Sequence, residues 1–205
     1  MLKRVKVKLS EEGIIGFFKA ILRRFYITEF EYKVSIKHIN HKNFSNDFKM
    51  IKLNSELLNL LQSEYSDEMT PKKIKEFQET LLPKCTNTCF LVLLKNNICG
   101  YYHIAFGEGY DSCVNYIIPN EVDNIYLFND YTFKKHRGKG AHSFSIYSRL
   151  LIGKDMGYST ASVHIIKGIT FSEKAYLKFG FVKCKKITMV NILKFKRTFV
   201  KNIRN

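Results

Sequence analysis

Apolar positions along the chain recur with two different periods, and the switches between them mark out alternating helices and strands. From Ser10 to about Phe25, residues Ile14, Phe17, Phe18, Ile21 and Leu22 follow helical spacing, with Glu11 and Glu12 in the first turn and Arg23 and Arg24 in the last. Charges so placed suit the helix dipole, and the segment predicts an amphipathic helix. EYKVSIKHI at 31–39 alternates polar and apolar like a half-buried strand, and HKNFSND follows as a loop. A short strand is predicted in FKMIKL at 48–53, then a helix through LLNLL capped by Asn54 or Ser55. A second helix runs from about Thr70 to Leu82 with Pro71 in its first turn. The runs at 88–95 and 98–107 flank Asn96-Asn97 and predict a hairpin. A strand at 125–133, a helix from about Gly140 to Met156 closed by Gly157, the strand STASVHII, the helix TFSEKAYLKF stopped by Gly180, and one or two strands in FVKCKKITMVNILKF complete the pattern. This order predicts a mixed α/β domain with at least one crossover over 48–205, preceded by a helix-and-strand extension over 1–47.

Composition narrows the class. At 205 residues, 45% hydrophobic and 14% aromatic, the chain has enough apolar material for a sizeable core, and it carries no internal repeat or polar low-complexity tract. Its most apolar runs, CFLVLL and GIIGFF, fall short of the roughly 20 residues a spanning helix needs. The basic start MLKRVKVKLSEEGIIGFFKAILRRF is interrupted by Lys19, Arg23 and Arg24 and lacks a small-residue cleavage site, so it is not read as a signal peptide. Cys85, Cys89, Cys99, Cys113 and Cys184 match neither a disulfide framework nor a zinc site and fit a reducing cytoplasm. Cys85 and Cys89 alone do not complete a tetrahedral metal site, and no metal is expected.

Charge adds a preference for acidic partners. A net charge of +16 favours nucleic acid, anionic lipid, phosphorylated cofactors or an acidic carrier protein without choosing among them, and a biased base composition would equally raise the lysine count. Lys3, Arg4, Lys6 and Lys8 at one end, and Lys194, Lys196, Arg197, Lys201 and Arg204 at the other, suit an anionic bilayer, a carrier protein or RNA, or are solvated termini.

The candidate chemistry lies in KKHRGKGAHS, residues 134–143. Glycines between a strand and a helix let backbone approach a ligand, and the amides of Ala141, His142 and Ser143 in the first helical turn point at it. With Arg137 and Lys139 beside Gly138 and Gly140, the segment can cradle a pyrophosphate. A P-loop requires a longer glycine spacing followed by Lys and Ser or Thr, and a dinucleotide fingerprint requires GxGxxG; neither is present.

Arg137-x-x-Gly140 after a strand, with Tyr176-x-x-x-Gly180-Phe181 some forty residues later, resembles the GNAT superfamily of acyl-CoA-dependent N-acyltransferases over roughly residues 48–193. His142 stands where that family has Gly or Ala, and Ile169 where it has Asn. The form YLFNDYTFKKHRGKG is most similar to members from surface-polysaccharide clusters. The resemblance implies a strongly twisted sheet and acetyl-CoA or another acyl-CoA as co-substrate. It places the pantetheine arm along the backbone of Tyr131, Thr132 and Phe133, and a cofactor contact at Ser172. It also implies direct attack of a neutral amine on the thioester, which needs a base, a polarising amide and an acid for the thiolate. Tyr176 matches the family's general acid; its alternative is an aromatic packed on Phe179 and Phe181. Asp130 is the first candidate base, with His142 and His164 next, while His103 is given no role.

The expected activity is transfer of an acetyl or related acyl group to a primary amine of a small molecule, amino sugar or peptide, in the cytoplasm or at the inner membrane face. Alternatives are an enzyme using acyl carrier protein or long-chain donors, an acyltransferase acting on aminoacyl-tRNA, and a non-catalytic basic module that binds RNA or a membrane surface.

Overall fold

The computed structural model describes residues 25–37, 39, 42–119, 121–192 and 195–203. The expected amphipathic helix and the basic residues Lys3, Arg4, Lys6, Lys8, Lys194 and Arg204 lie outside them. The elements run β1 (Tyr26–Ser35), β2 (Phe48–Lys52), α1 (Ser55–Glu64), α2 (Pro71–Thr80), β3 (Asn87–Leu94), β4 (Asn97–Ala105), β5 (Gly109–Asp111), β6 (Tyr116–Ile118), β7 (Asn124–Thr132), a 3-10 turn (Lys134–His136), α3 (Ala141–Asp155), β8 (Thr160–Ile166), α4 (Thr170–Leu177), β9 (Val182–Ile192) and β10 (Phe195–Asn202). Eight strands form one mixed sheet in the order β10-β9-β1-β8-β7-β4-β3-β2, and β5 and β6 form a separate hairpin.

Local chemistry accounts for the boundaries. Asn54 caps α1 by accepting from the Leu57 amide, and Thr70 accepts from Lys73 at the start of α2, where Pro71 occupies the first turn. The hairpin between β3 and β4 turns on Lys95 (φ 51°) and Asn96 (φ 63°), one residue earlier than Asn96-Asn97 suggested, and Asn97 already pairs with Leu94. Two left-handed residues in succession match the twist of the flanking strands.

Helices cover both faces. α1 and α2 bury Leu58, Leu61 and Phe77 against Leu91 and Tyr101, while α3 sets Ile146 and Leu150 against Ile125, Leu127 and Val163 on the opposite face. Among the described residues no helix is long and apolar enough to cross a membrane.

β1 corrects the predicted organisation. It runs over 26–35 rather than 31–39, and it lies inside the sheet, antiparallel to β8 on one edge and to β9 on the other. The described part of the 1–47 segment is therefore an internal strand of the main sheet rather than an appendage. The reading of a half-buried strand failed because the polar residues Glu29 and Glu31 are themselves buried, 3% and 5% exposed, on the face that His164 shares. The β5–β6 hairpin was not predicted at all.

Candidate active site

The site is built where two parallel strands separate. β7 and β8 pair from Asn124 opposite Thr160 to Leu127 opposite Val163 and then part, leaving the end of β7 bonded to β4 alone. The β4–β7 register slips between Tyr101 and His103, and Asn129 on the opposing strand is left-handed (φ 49°). This bulge inserts one residue and re-aims the side chains that follow. Ile125 and Leu127 face α3, and after the bulge Asp130 faces α3 and α4 as well.

Asp130 is the centre of a dense polar cluster. Arg149 of α3 donates from Nη1 to Oδ1 at 2.7 Å and from Nη2 to Oδ2 at 2.8 Å. Tyr176 Oη donates to Oδ2 at 2.5 Å, and His142 Nε2 lies 3.1 Å from the same oxygen. Arg149 also donates to the His103 carbonyl at 2.9 Å and to Tyr176 Oη at 3.3 Å, and its side chain is fully buried. Burial alone would raise the Asp130 pKa, but Arg149 first and His142 second hold the carboxyl well below its ordinary range. With both oxygens engaged, Asp130 is an anchor for its neighbours and a poor acceptor of a substrate proton.

Tyr176 is packed as an aromatic, and its hydroxyl is also engaged. Its ring packs edge-on against Phe181 at 5.0 Å while its hydroxyl reaches Asp130. Burial and the Asp130 carboxylate hold the phenol protonated far above its usual value. His142 is tucked in rather than on the helix surface, its ring parallel to Tyr102 and edge-on to Tyr176. The imidazole that replaces the expected small residue thus turns toward Asp130.

At one end of the gap lies the glycine loop. Gly138 (φ 76°) and Gly140 (φ 88°) both adopt left-handed backbone, and a Cβ at Gly138 would meet nothing within 4 Å. Gly140 is the N-cap of α3 and supplies no side-chain bond, so the amides of Ala141, His142 and Ser143 have no side-chain cap. Ala141 is buried and offers only its backbone. Arg137 Nε donates to the Thr132 carbonyl at 3.2 Å, which holds its guanidinium at the mouth beside the Tyr131 ring, and Lys139 is exposed. These groups fit a pyrophosphate.

The expected contact strand is partly committed already. Tyr131 stacks on Tyr101 and donates to Glu68, and the Thr132 hydroxyl bonds Tyr102 at 2.7 Å. Phe133 is fully buried against Tyr65 and Tyr101; its N–H donates to the Cys99 carbonyl and its carbonyl accepts from His136. As a cofactor contact Phe133 is displaced by the protein's own hydrogen bonds. Ser172 and Ile169, at the start of α4, line the gap.

His164 belongs to a different place. It points to the other side of the sheet, where Asp111 Oδ2 lies 2.9 Å from Nδ1, Glu29 Oε2 3.7 Å from Nδ1, and Glu31 Oε2 3.6 Å from Nε2. Burial opposes its charge, but hydrogen bonds to Asp111 and Glu31 outweigh burial and lift its pKa to about 9. At neutral pH it is a cation, so it is not a free base. A cavity of about 710 Å³ extends from here through the gap to Asp130 and Tyr176. Arg149, His103, Glu29 and Asp111 all shape this site, and none was singled out as a site residue from the sequence. A buried arginine has no local sequence mark, but the Glu29-x-Glu31 pair in a strand with apolar neighbours was a usable signal.

No protein-family model and no curated protein matches the sequence. Solved structures do. A functionally unknown conserved protein from Staphylococcus epidermidis ATCC 12228 superposes with a TM-score of 0.57 at 13% identity, over 93% of this chain and 68% of that one. A GCN5-related N-acetyltransferase from Sphaerobacter thermophilus gives 0.55 at 9% identity over 95% of this chain, which spans only 58% of that protein's length. AAC(6')-Iy, in complex with the bisubstrate analogue CoA-S-monomethyl-acetylneamine, gives 0.51 at 13% identity over 66% of this chain and 90% of that one. The chain has the GNAT fold, a mixed twisted sheet flanked by helices.

Proposed function

We propose that this GNAT-fold chain is an N-acyltransferase that moves an acyl group, acetyl in the simplest case, from acyl-CoA to a primary amine. The observation that carries the proposal is the parted β7–β8 pair, with an uncapped helix N-terminus at one end and a buried phenol inside it. A fold alone assigns no activity; the glycine loop, open strand edge and buried phenol together support the reading.

In this reading the pyrophosphate binds the amides of Ala141, His142 and Ser143 with Arg137 and Lys139 alongside, and the pantetheine follows the unpaired edge of β7 toward Asp130. The neutral amine attacks the thioester carbon, the C–N bond forms and the C–S bond breaks; the thiolate takes the phenol proton of Tyr176, and the surplus proton on the new amide nitrogen returns through water to Tyr176. Tyr176 is the proton donor. The burial that raises its pKa raises that of a departing thiolate too, which keeps the transfer within reach. Asp130 fixes the phenol and the His142 imidazole rather than acting as the base. AAC(6')-Iy, of the same fold, was captured with an analogue that joins CoA to acetylneamine, which supports a small amine-bearing acceptor.

Isothermal titration of the full chain with acetyl-CoA tests the proposal. Binding is expected, and Gly140→Asp should weaken it by about tenfold or more, because the new carboxylate replaces a favourable helix terminus with a like charge. Absence of acetyl-CoA binding to the wild-type chain at moderate salt would overturn the reading.

A further inference from the structure

Among the described residues Glu29 Oε2, Asn87 Oδ1 and His103 Nδ1 are buried without a hydrogen-bond partner, and His164 Nε2 has only the Glu31 carboxylate, at 3.6 Å. All four belong to residues that line the same 710 Å³ cavity. Buried polar atoms are almost always satisfied, so orphans gathered around one cavity mark where a ligand supplies the missing bonds. Glu29, His103 and His164 are at least nine-tenths buried, at 3% and 2% residue exposure for the first two and 2% side-chain exposure for the third. The volume lies within the ~300–1,000 Å³ typical of small-molecule sites.

The chemistry of the walls is unlike that of the rest of the chain. Lys and Arg outnumber Asp and Glu by 34 to 18 in the sequence, yet the cavity is lined by Glu29, Glu76, Glu79, Asp111 and Asp130, and by no lysine or arginine among the described residues, its cationic wall residue being His164, which Asp111 pairs at 2.9 Å. Arg149 neutralises Asp130 from behind. Lys72 approaches Glu76 only at the exposed rim, at 3.7 Å. The remaining carboxyls fall into two groups, Glu29 with Asp111 on the floor and Glu76 with Glu79 one turn apart on α2. Glu29 Oε2 and Asn87 Oδ1 call for hydrogen-bond donors.

We propose that this cavity is the acceptor site and that it selects small polyamines, molecules with two or more ammonium groups, one held by Glu29 and Asp111 and another by the α2 rim. That the bound amine is also acylated rests on the acyltransferase reading; the binding does not. Burial first, then Asp111, lifts the Glu29 carboxyl to about 9 against the pull of the nearby His164 cation, so it is protonated while no ligand is bound. An arriving ammonium supplies the positive charge that allows it to ionise. Burial pushes His103 down to about 4 and leaves it a neutral hydrogen-bonding group that does not repel a cation. The reacting amine reaches the gap between Asp130 and Tyr176, which the same cavity includes.

A divalent metal is the competing occupant, because ligand atoms of Glu29, Asp111 and Cys113 lie within 4.8 Å of one another. The orphaned Asn87 and His103 are outside that trio. A single ion leaves them unsatisfied. A polyamine is long enough to serve both ends.

The test is titration of the full chain, without donor, with butylamine, 1,4-diaminobutane and spermidine at matched ionic strength, followed by thiol release from acetyl-CoA with the same amines. Affinity should rise at least tenfold from the monoamine to spermidine, about one charge pair's contribution. Glu29→Gln keeps the size and neutral charge of the protonated acid, so the fold should persist while most of that gain is lost. Glu79→Gln, on the exposed rim, should weaken spermidine severalfold and leave butylamine unchanged. Both variants should bind acetyl-CoA as wild type does. Equal affinity for all three amines, indifference to both substitutions, or Glu29-dependent binding of zinc that displaces the amine would each overturn the proposal. Spermidine binding that depends on Glu29 in a chain that does not bind acetyl-CoA would uphold the acceptor site and remove the donor reading instead.

Discussion

The two ends of the β7–β8 gap bind by opposite means. At the glycine loop the groups on offer are uncapped backbone amides and two long cationic side chains, all within residues 137–143. At the far end they are carboxyls from β1, α2 and β5, an amide from β3 and imidazoles from β4 and β8. The first end is local, tolerant of side-chain identity and positive. The second is assembled only when the sheet closes, depends on each side chain, and gathers carboxyls within a strongly basic protein. A helix terminus is a general-purpose anion holder, whereas an acidic chamber has to be built residue by residue. In the proposed reading the difference separates the half of the molecule suited to a common donor from the half that would set the acceptor.

The divider between the ends is the Asp130–Arg149 pair, and breaking it should have the largest effect. Arg149→Met leaves the Asp130 carboxylate without its main counter-charge, and loss of one partner of a buried pair costs about 3–5 kcal/mol. Chemical denaturation should show a correspondingly lower midpoint at unchanged slope. A wild-type midpoint would mean that the ends are not held apart by this pair. Next in size, Tyr176→Phe should lower acyl transfer by about a hundredfold, the low end for a general acid, while acetyl-CoA affinity holds. A fall in affinity without a fall in turnover would move the phenol into the donor site.

The smallest effect is a drift of stability with pH that belongs to the acidic end alone. His164 and Glu29 are both raised to about 9 in the folded chain. Groups that hold protons more tightly when folded contribute most below their unfolded values, and that contribution is lost as pH climbs through the folded ones. Facing them are Asp111 and Cys113 from the β5 region, Glu31 with its partner Lys185 from β9, and Tyr126 from β7. Thermal midpoints should fall between pH 6.5 and 9, and Glu29→Gln should flatten the fall. On the acid side, hydrogen bonds from His164 and Lys185 overcome burial and hold Glu31 at about 2, so its contribution is present above its ordinary range and fades as pH drops toward 2. A flat profile from 6.5 to 9 would show that the cluster is not charged as described.

The donor end was legible in the sequence because its information is contiguous. Arg137, Gly138 and Gly140 specify a turn, a backbone approach and a helix start within four residues, and Tyr176 stands one helix and one strand later with Gly180 closing its helix. The acceptor end was not legible, for two reasons. Glu29 and Asp111 sit on elements that polarity argued against: a strand whose buried positions include acids, and a three-residue hairpin strand too short for a periodic pattern. His164 was noticed, but its role depends on neighbours from β1 and β5 that no local reading supplies. Asp130 was found but its partners were not, because its counter-charge, Arg149, comes from a helix whose amphipathic pattern gives no hint of an inward arginine.

β1 is made early, yet both strands that flank it come near the other end of the chain; Lys185 of β9 and Glu31 of β1, for instance, are 154 residues apart in sequence. During synthesis this strand waits with two unsatisfied edges until most of the protein has emerged. Such long-range pairing is slow to form, and open edges invite pairing with other chains. Buried acids on that strand have a second consequence during this interval: while solvated and ionised, Glu29 and Glu31 keep the waiting segment soluble. The residues that furnish the acidic chamber in the finished protein thus act beforehand as its guard against aggregation.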